Sequence, residues 1–177
     1  SYITINAQLP EISTNENMAS AKFTVSNTGD ESAFSVQTSF RSADGVSFPT
    51  IFLDKLEQGK QVDAFFNVNI TKSIFPGRYP ILIVTEYADA NNYQFSAVSA
   101  SFLTYKDRTS SDVNGFLDEI QIPKGGKAKT GLKMVNRDSV DRSVKINVFV
   151  PKELAVGSYD RNISFKPSEQ KSTDVEI

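Results

Sequence analysis

The sequence predicts an all-β chain built of antiparallel sandwiches, and three observations carry that prediction. Apolar and polar residues alternate at a period of two through much of the chain, turn-forming residues separate the alternating runs, and proline and glycine mark the reversals. Two runs are clearest: Phe23-Thr24-Val25-Ser26-Asn27-Thr28-Gly29, a strand closing on a turn, and Pro76-Gly77-Arg78-Tyr79, which leads into the apolar run 81–87. Neither contains catalytic chemistry.

The elements follow in order. Residues 2–8 alternate Ile3 and Ile5 with polar neighbours, and Ala19, Ala21, Phe23 and Val25 line one face of a second strand. Asn27-Thr28-Gly29-Asp30 supplies turn chemistry, since Asn and Gly tolerate the backbone angles of tight turns. Phe34, Val36, Thr38 and Phe40 give the next strand, and Ser42-Ala43-Asp44-Gly45 turns it. Residues 48–53 are looser and fit either an irregular strand or one helical turn, leading to Leu56-Glu57-Gln58-Gly59-Lys60. Val62, Ala64, Phe66, Val68 and Ile70 share one face of the cleanest strand. After Pro76-Gly77, residues 79–87 form a nearly continuous run of β-formers, Ala88-Asp89-Ala90-Asn91-Asn92 is a hairpin tip, and 93–102 is its partner, with Val98, Ala100 and Phe102 facing one way. About seven strands in about a hundred residues is the size of an immunoglobulin-like sandwich. Residues 1–106 are therefore expected to form one domain.

The polar run Lys106-Asp107-Arg108-Thr109-Ser110-Ser111-Asp112 has no apolar period, which places a linker at 107–115 and a second domain at 116–177. In that domain Leu117, Ile120 and Ile122 restart the pattern, Pro123-Lys124-Gly125-Gly126 turns it, and Thr130, Leu132 and Met134 close on Asn136. Val144, Ile146, Val148 and Val150 predict its strongest strand, ended by Pro151. Phe23-x-Val25-x-Asn27 corresponds to Leu132-x-Met134-x-Asn136, a weak internal repeat. Tandem immunoglobulin-like antiparallel β-sandwiches are thus expected, the second partial. A sheet left after four or five strands keeps unpaired edges and half a core, so the native chain is expected to continue and these residues to be a piece of a longer polypeptide.

Composition removes classes of mechanism. Cys, His and Trp are absent, which leaves no disulfide framework, thiol nucleophile, iron–sulfur cluster, imidazole relay or Cys- or His-ligated metal. A net charge of −2, with Lys and Arg scattered, lacks the basic face of a nucleic-acid binder. No apolar stretch approaches the roughly 20 residues of a spanning helix.

The order of strand, Val25-Ser26-Asn27-Thr28-Gly29, strand, Leu56-x-x-Gly59, strand, then Pro76-Gly77-x-Tyr79 with an apolar hairpin resembles a diffuse superfamily of Ig-like modules. It is similar to the S-layer-associated repeat domains of archaeal envelope proteins and to the CARDB and NEW3-type domains of bacteria. The resemblance covers most of 1–105, and its first part recurs in 116–177. It implies a non-enzymatic spacer or adhesion module of a surface-exposed or membrane-anchored protein, and it carries over no catalytic residues.

The residues with potential chemistry each have a plainer use. Asp89, Asn91 and Asn92 crowd the hairpin tip and offer oxygen ligands for Ca²⁺, yet Asp and Asn populate such tips for backbone reasons. Asn136, Asp138 and Asp141 pose the same choice. Asn69-Ile70-Thr71 and Asn162-Ile163-Ser164 fit the glycosylation acceptor pattern, and Asn69 falls on the solvent face of its strand. Lys124-Gly125-Gly126-Lys127 lacks the spacing of a phosphate-binding loop and reads as a turn between strands. Phe65, Tyr87, Tyr93 and Phe95 offer either an aromatic strip for sugars or ordinary core and cross-strand contacts; Glu86 and Asp89 offer either a carboxylate pair or solvated charges.

The expectation is a non-enzymatic structural, adhesion or spacer module of a larger extracellular or cell-envelope protein. No catalytic residue, cofactor or metal is expected, and the expected partners are other domains of the same polypeptide or envelope proteins. The alternative is an accessory domain for carbohydrate or calcium attached to an enzyme elsewhere in the chain. Calcium and glycan calorimetry separates the two.

Overall fold

The computed structural model describes residues 2–71, 74–106, 112–151 and 153–177. Its regular elements are all strands among the described residues, and the chain divides into two compact units, Ser1–Thr109 and Ser110–Ile177. Residues 107–111 of the expected linker lie outside the described residues.

The first unit contains β1 (Ile5–Gln8), β2 (Ile12–Thr14), β3 (Met18–Asn27), β4 (Ala33–Arg41), β5 (Val46–Ser47), β6 (Ile51–Leu56), β7 (Gln61–Ile70), β8 (Gly77–Ala88) and β9 (Gln94–Tyr105). One sheet has the order β1-β3-β7-β5, the other β2-β9-β8-β4-β6. Placing β1, β3 and β7 opposite β4, β8 and β9 is the strand arrangement of an immunoglobulin-like sandwich. The period-two pattern sets the register: Ala21 lies opposite Phe66, Phe23 opposite Ala64 and Val25 opposite Val62, so one parity faces the core. Phe40 anchors the aromatic part of that core, with ring centroids 5.3 Å from Phe23, 5.6 Å from Phe48 and 5.1 Å from Phe66. β8 carries the apolar run Ile81 to Val84 because it is a central strand, paired with β4 on one side and β9 on the other. Polar Thr85 is accommodated there by a 2.9 Å hydrogen bond to Thr38.

Several sequence expectations are refined. Of the loose segment 48–53, residues 51–53 open β6, paired antiparallel with β4, and 48–50 lie outside any strand. The first strand region changes sheets: β1 pairs with β3, the chain passes Pro10, and β2 pairs parallel with β9 from Ile12↔Leu103 to Thr14↔Tyr105. In β9 the parity of Val98, Ala100 and Phe102 faces outward, and Ser101, Leu103 and Tyr105 face the core. Val98, Ala100 and Phe102 thus share one face, as expected, and that face has its own cover: the Arg78 guanidinium lies 3.5 Å from the Phe102 ring centroid.

The second unit contains β10 (Val113–Leu117), β11 (Lys129–Asn136), β12 (Arg142–Lys145), β13 (Asn162–Phe165) and β14 (Gln170–Glu176). Its sheets are β10-β11-β14 and β12-β13. β10 begins at Val113, inside the segment read as linker, while Ile120 and Ile122 lie outside any strand. The expected strand 144–150 stops at Lys145, although Ile146 is buried and Val148 and Val150 are half-buried. The comparison with β4 gives the reason. β4 pairs with β6 only as far as Thr38 and reaches Arg41 through its ladder with β8; β12 has a ladder with β13 alone.

Candidate functional site

The most organised polar groups are two buried asparagines, one at the end of β3 and one at the end of β11. Asn27 is 0% exposed; its Nδ2 donates to Glu31 O at 2.7 Å and Leu56 O at 3.1 Å, and its Oδ1 accepts from Gly29 N at 3.0 Å. Asn136 is also 0% exposed; its Nδ2 donates to Val140 O at 2.9 Å and Lys166 O at 3.0 Å, and its Oδ1 accepts from Asp138 N at 3.0 Å. Each backbone N–H reaches the opposite turn, Asn27 to Lys60 O and Asn136 to Glu169 O. Those turns hold Gly59 and Ser168 at positive φ, 67° and 59°. One side chain therefore ties the strand end, the following loop and the end of a strand in the other sheet of its unit, at Leu56 in β6 and at Lys166 just past β13. A buried amide can do this only with its donors and acceptor all matched. Among the described residues no buried side-chain nitrogen or oxygen is left without a partner.

Charged groups around the second asparagine reinforce the turn. Asp138 accepts from Ser139 N and pairs with Arg142, which also reaches Asp112 at 2.8 Å; the Ser139 bond is the main cause holding the Asp138 carboxyl below its ordinary value. Glu169 accepts from Lys166 N at 2.8 Å, which likewise lowers its carboxyl. Of the oxygen-rich trio considered for calcium, Asn136 is thus a buried tie and Asp138 an ion-paired turn residue.

At the β8–β9 tip, Asp89 Oδ1 accepts from Asn91 N and Tyr93 N, both at 2.9 Å, and Asn92 takes a positive φ of 65°. This is backbone capping by an aspartate. Among the described residues no group of three or more His, Cys, Asp or Glu is placed to hold a metal ion.

The four aromatics do not form one strip. Tyr87 and Phe95 stack across the hairpin at 5.7 Å with Tyr87 buried, whereas Phe65 is exposed on β7, in the other sheet. A cleft of about 270 Å³ beside the tip is lined by Tyr2, Ile3, Glu31, Tyr87, Asp89 and Phe95. Glu86 is not among its walls, so the cleft does not join Glu86 to Asp89. Asn69 and Asn162 are exposed on β7 and β13. In Lys124-Gly125-Gly126-Lys127, Gly126 N bonds Pro123 O at 2.8 Å and Gly125 has φ 67°, a turn followed by β11 and preceded by irregular chain rather than a strand.

Sequence reading missed one cross-strand cluster. Arg78, besides covering Phe102, donates to Glu11 from Nε at 3.3 Å and Nη2 at 3.1 Å, and Thr104 donates to Glu11 at 2.8 Å. The parallel strand β2 creates this meeting, and a three-residue strand leaves little periodic signal.

The fold is that of an all-β, immunoglobulin-like sandwich protein. No protein-family model matches the sequence, and no curated protein matches it. Among solved structures, one similar chain belongs to the CsuC–CsuE chaperone–tip adhesion subunit pre-assembly complex of the archaic chaperone–usher Csu pili of Acinetobacter baumannii. It is 10% identical with a TM-score of 0.39, over 97% of this chain and 86% of that one. Among the described residues no helix is long and apolar enough to cross a membrane.

Proposed function

We propose that this chain is a non-enzymatic structural or adhesion module of a larger cell-surface or secreted protein, of the S-layer-associated, CARDB or NEW3 kind, with a second unit that repeats the first in part. The observation that carries the reading is the pair of asparagine ties. The same amide, at the same end of the same strand, makes the same set of bonds in both units. Its polar atoms are consumed in joining strands, which suits a module whose work is to hold shape. The mechanism is mechanical: strands sharing a ladder and a core resist opening, and the module sets a distance between the parts it joins. The exposure of Asn69 and Asn162 is compatible with N-glycosylation of a secreted chain.

A second reading, an accessory domain for carbohydrate or calcium, draws on the cleft beside the hairpin tip, where Tyr2, Tyr87 and Phe95 meet Glu31 and Asp89. Titration calorimetry with Ca²⁺ and a panel of glycans separates the readings. The spacer predicts no saturable heat with any of them. Saturable heat that Asp89→Ala or Phe95→Ala abolishes, with the fold retained by circular dichroism, overturns it in favour of the accessory domain.

A further inference from the structure

The two units pair their strands in the same order up to one point. β10 pairs with β11 as β1 does with β3, β11 with β14 as β3 with β7, and β12 with β13 as β4 with β6. Val113 stands opposite Asn136 as Ile5 stands opposite Asn27, so positions can be compared directly. In the first unit the β8–β9 hairpin then covers the structure: β8 pairs along β4, and β9 lies against β1, where Ser99 donates to Ala7 O at 2.7 Å. The second unit has no such hairpin among its described residues.

The consequence is visible residue by residue. Continuing the two ladders one position, Leu9 meets the register of Phe23 and is 7% exposed, whereas Leu117 stands opposite Leu132 and is 61% exposed. The buried apolar residues of the second unit, among those described, are Met134, Ile146, Phe165 and Val175, against nineteen in the first. The apolar alternation of Ile146, Val148 and Val150 continues past β12 with one further backbone bond toward β13, Ile146 N to Arg161 O at 2.8 Å, and no ladder on the other edge, in the stretch where β4 has β8 to stay a strand.

We propose that this open seat is the docking site for a β-hairpin of the same protein, with the alternation of β8–β9, that comes after β14 in chain order as β8 comes after β7. Its first strand pairs antiparallel with the edge of β12 and carries that strand on through 146–150; its second strand covers Leu117. The first unit's own hairpin is already paired with β4 and β2, so it is not the occupant. The inference rests on strand order and leaves the cellular location open.

Hydrogen exchange tests it, comparing the protein purified from its own cells with the 177-residue chain alone. The Ile146 and Val148 N–H groups already point toward Arg161 O and the Tyr159 hydroxyl, so the amides facing the open edge are those of Asn147 and Phe149, and these are expected to exchange at least about 100-fold more slowly in the native protein. A segment following Ile177 should gain protection with them. Equal exchange in the two samples overturns the proposal, whether both are fast or both are slow. So does protection of the 177-residue chain that rises with its concentration, which assigns the seat to a second copy, and so does protection by a separate polypeptide co-purified with the native protein. Leu117→Ser gives an independent readout: it is expected to leave the urea midpoint of the 177-residue chain unchanged and to lower that of the native protein. No change in either also overturns the proposal.

Discussion

Replacing Asn27 by alanine tests how much of the first unit depends on a single amide. The side chain is fully buried and makes three hydrogen bonds, donations of 2.7 and 3.1 Å and an acceptance at 3.0 Å. Each contributes about 0.5–1.5 kcal/mol net, and truncation also strips a donor from the carbonyls of Glu31 and Leu56, so the total is about 3–5 kcal/mol. For a unit of roughly a hundred residues, about 4 °C per kcal/mol gives a fall in Tm of about 12–20 °C. The assay is urea and thermal unfolding followed by circular dichroism, since no Trp is present. Thr28→Ala next door removes only an exposed 3.1 Å bond from Asn6 and is expected to cost under about 1 kcal/mol. Asn27→Asp, the same size, points an acceptor at two carbonyls and is expected to match or exceed the alanine loss at pH 7. The folded carboxyl would then be raised above its unfolded value, so this variant should recover stability as pH falls. An Asn27→Ala or Asn27→Asp protein within about 1 kcal/mol of the parent refutes the account of the tie.

Three further outcomes are expected. Asp63, held down chiefly by its bond with Lys22, and Asp138 and Glu169, held down by backbone N–H groups, all titrate below their ordinary values of 3.8, 3.8 and 4.5. Their contribution is complete above those values and lost as pH falls through the lowered folded ones, so the urea midpoint should drop on acidification below about pH 4.5, less steeply in Glu169→Gln. Gly29→Ala should destabilise the first unit more than Gly126→Ala does the second: its Cβ would lie 2.4 Å from Tyr2 O and 2.8 Å from Thr4 N, both backbone, while at Gly126 the closest atom is the Pro123 ring at 2.5 Å. In a secretory eukaryotic host, peptides spanning Asn69 and Asn162 should carry N-glycan, read by mass spectrometry before and after enzymatic release; unmodified peptides at both positions would remove the sequons from the account.

What the sequence made legible was what period two records. β3, β7 and β8 are long and half-buried or central, and their alternation or apolar run shows directly in Phe23, Val25, Val62, Phe66, Ile81 and Ile83. The correspondence of Asn27 and Asn136 was also readable, because each follows an apolar pair at the same spacing. Hidden were features decided by neighbours distant in sequence. β2 is three residues long and exists through its parallel partner β9. In the middle of β9 the inward positions are Ser99 and Ser101 while Val98, Ala100 and Phe102 face outward, an arrangement settled by partners elsewhere in the chain: Ser99 bonds Ala7 O and Phe102 is roofed by Arg78. Residues 144–150 have the pattern of a strand but a ladder for only part of it. At the candidate sites the residue types of Asp89 and Asn136 left two uses open, ligand or turn, and only the folded chain shows their oxygens accepting from backbone N–H groups.

The claim that this is a surface module is tested most directly by trypsin treatment of intact cells of its source, followed by mass spectrometry of the released peptides. Lys124 and Lys127 lie exposed in the turn before β11 and offer ready cleavage points. The account predicts that peptides cut there are released from unbroken cells, or are found in the medium, in a chain longer than these residues. Their appearance only after lysis, in the cytosolic fraction, contradicts it.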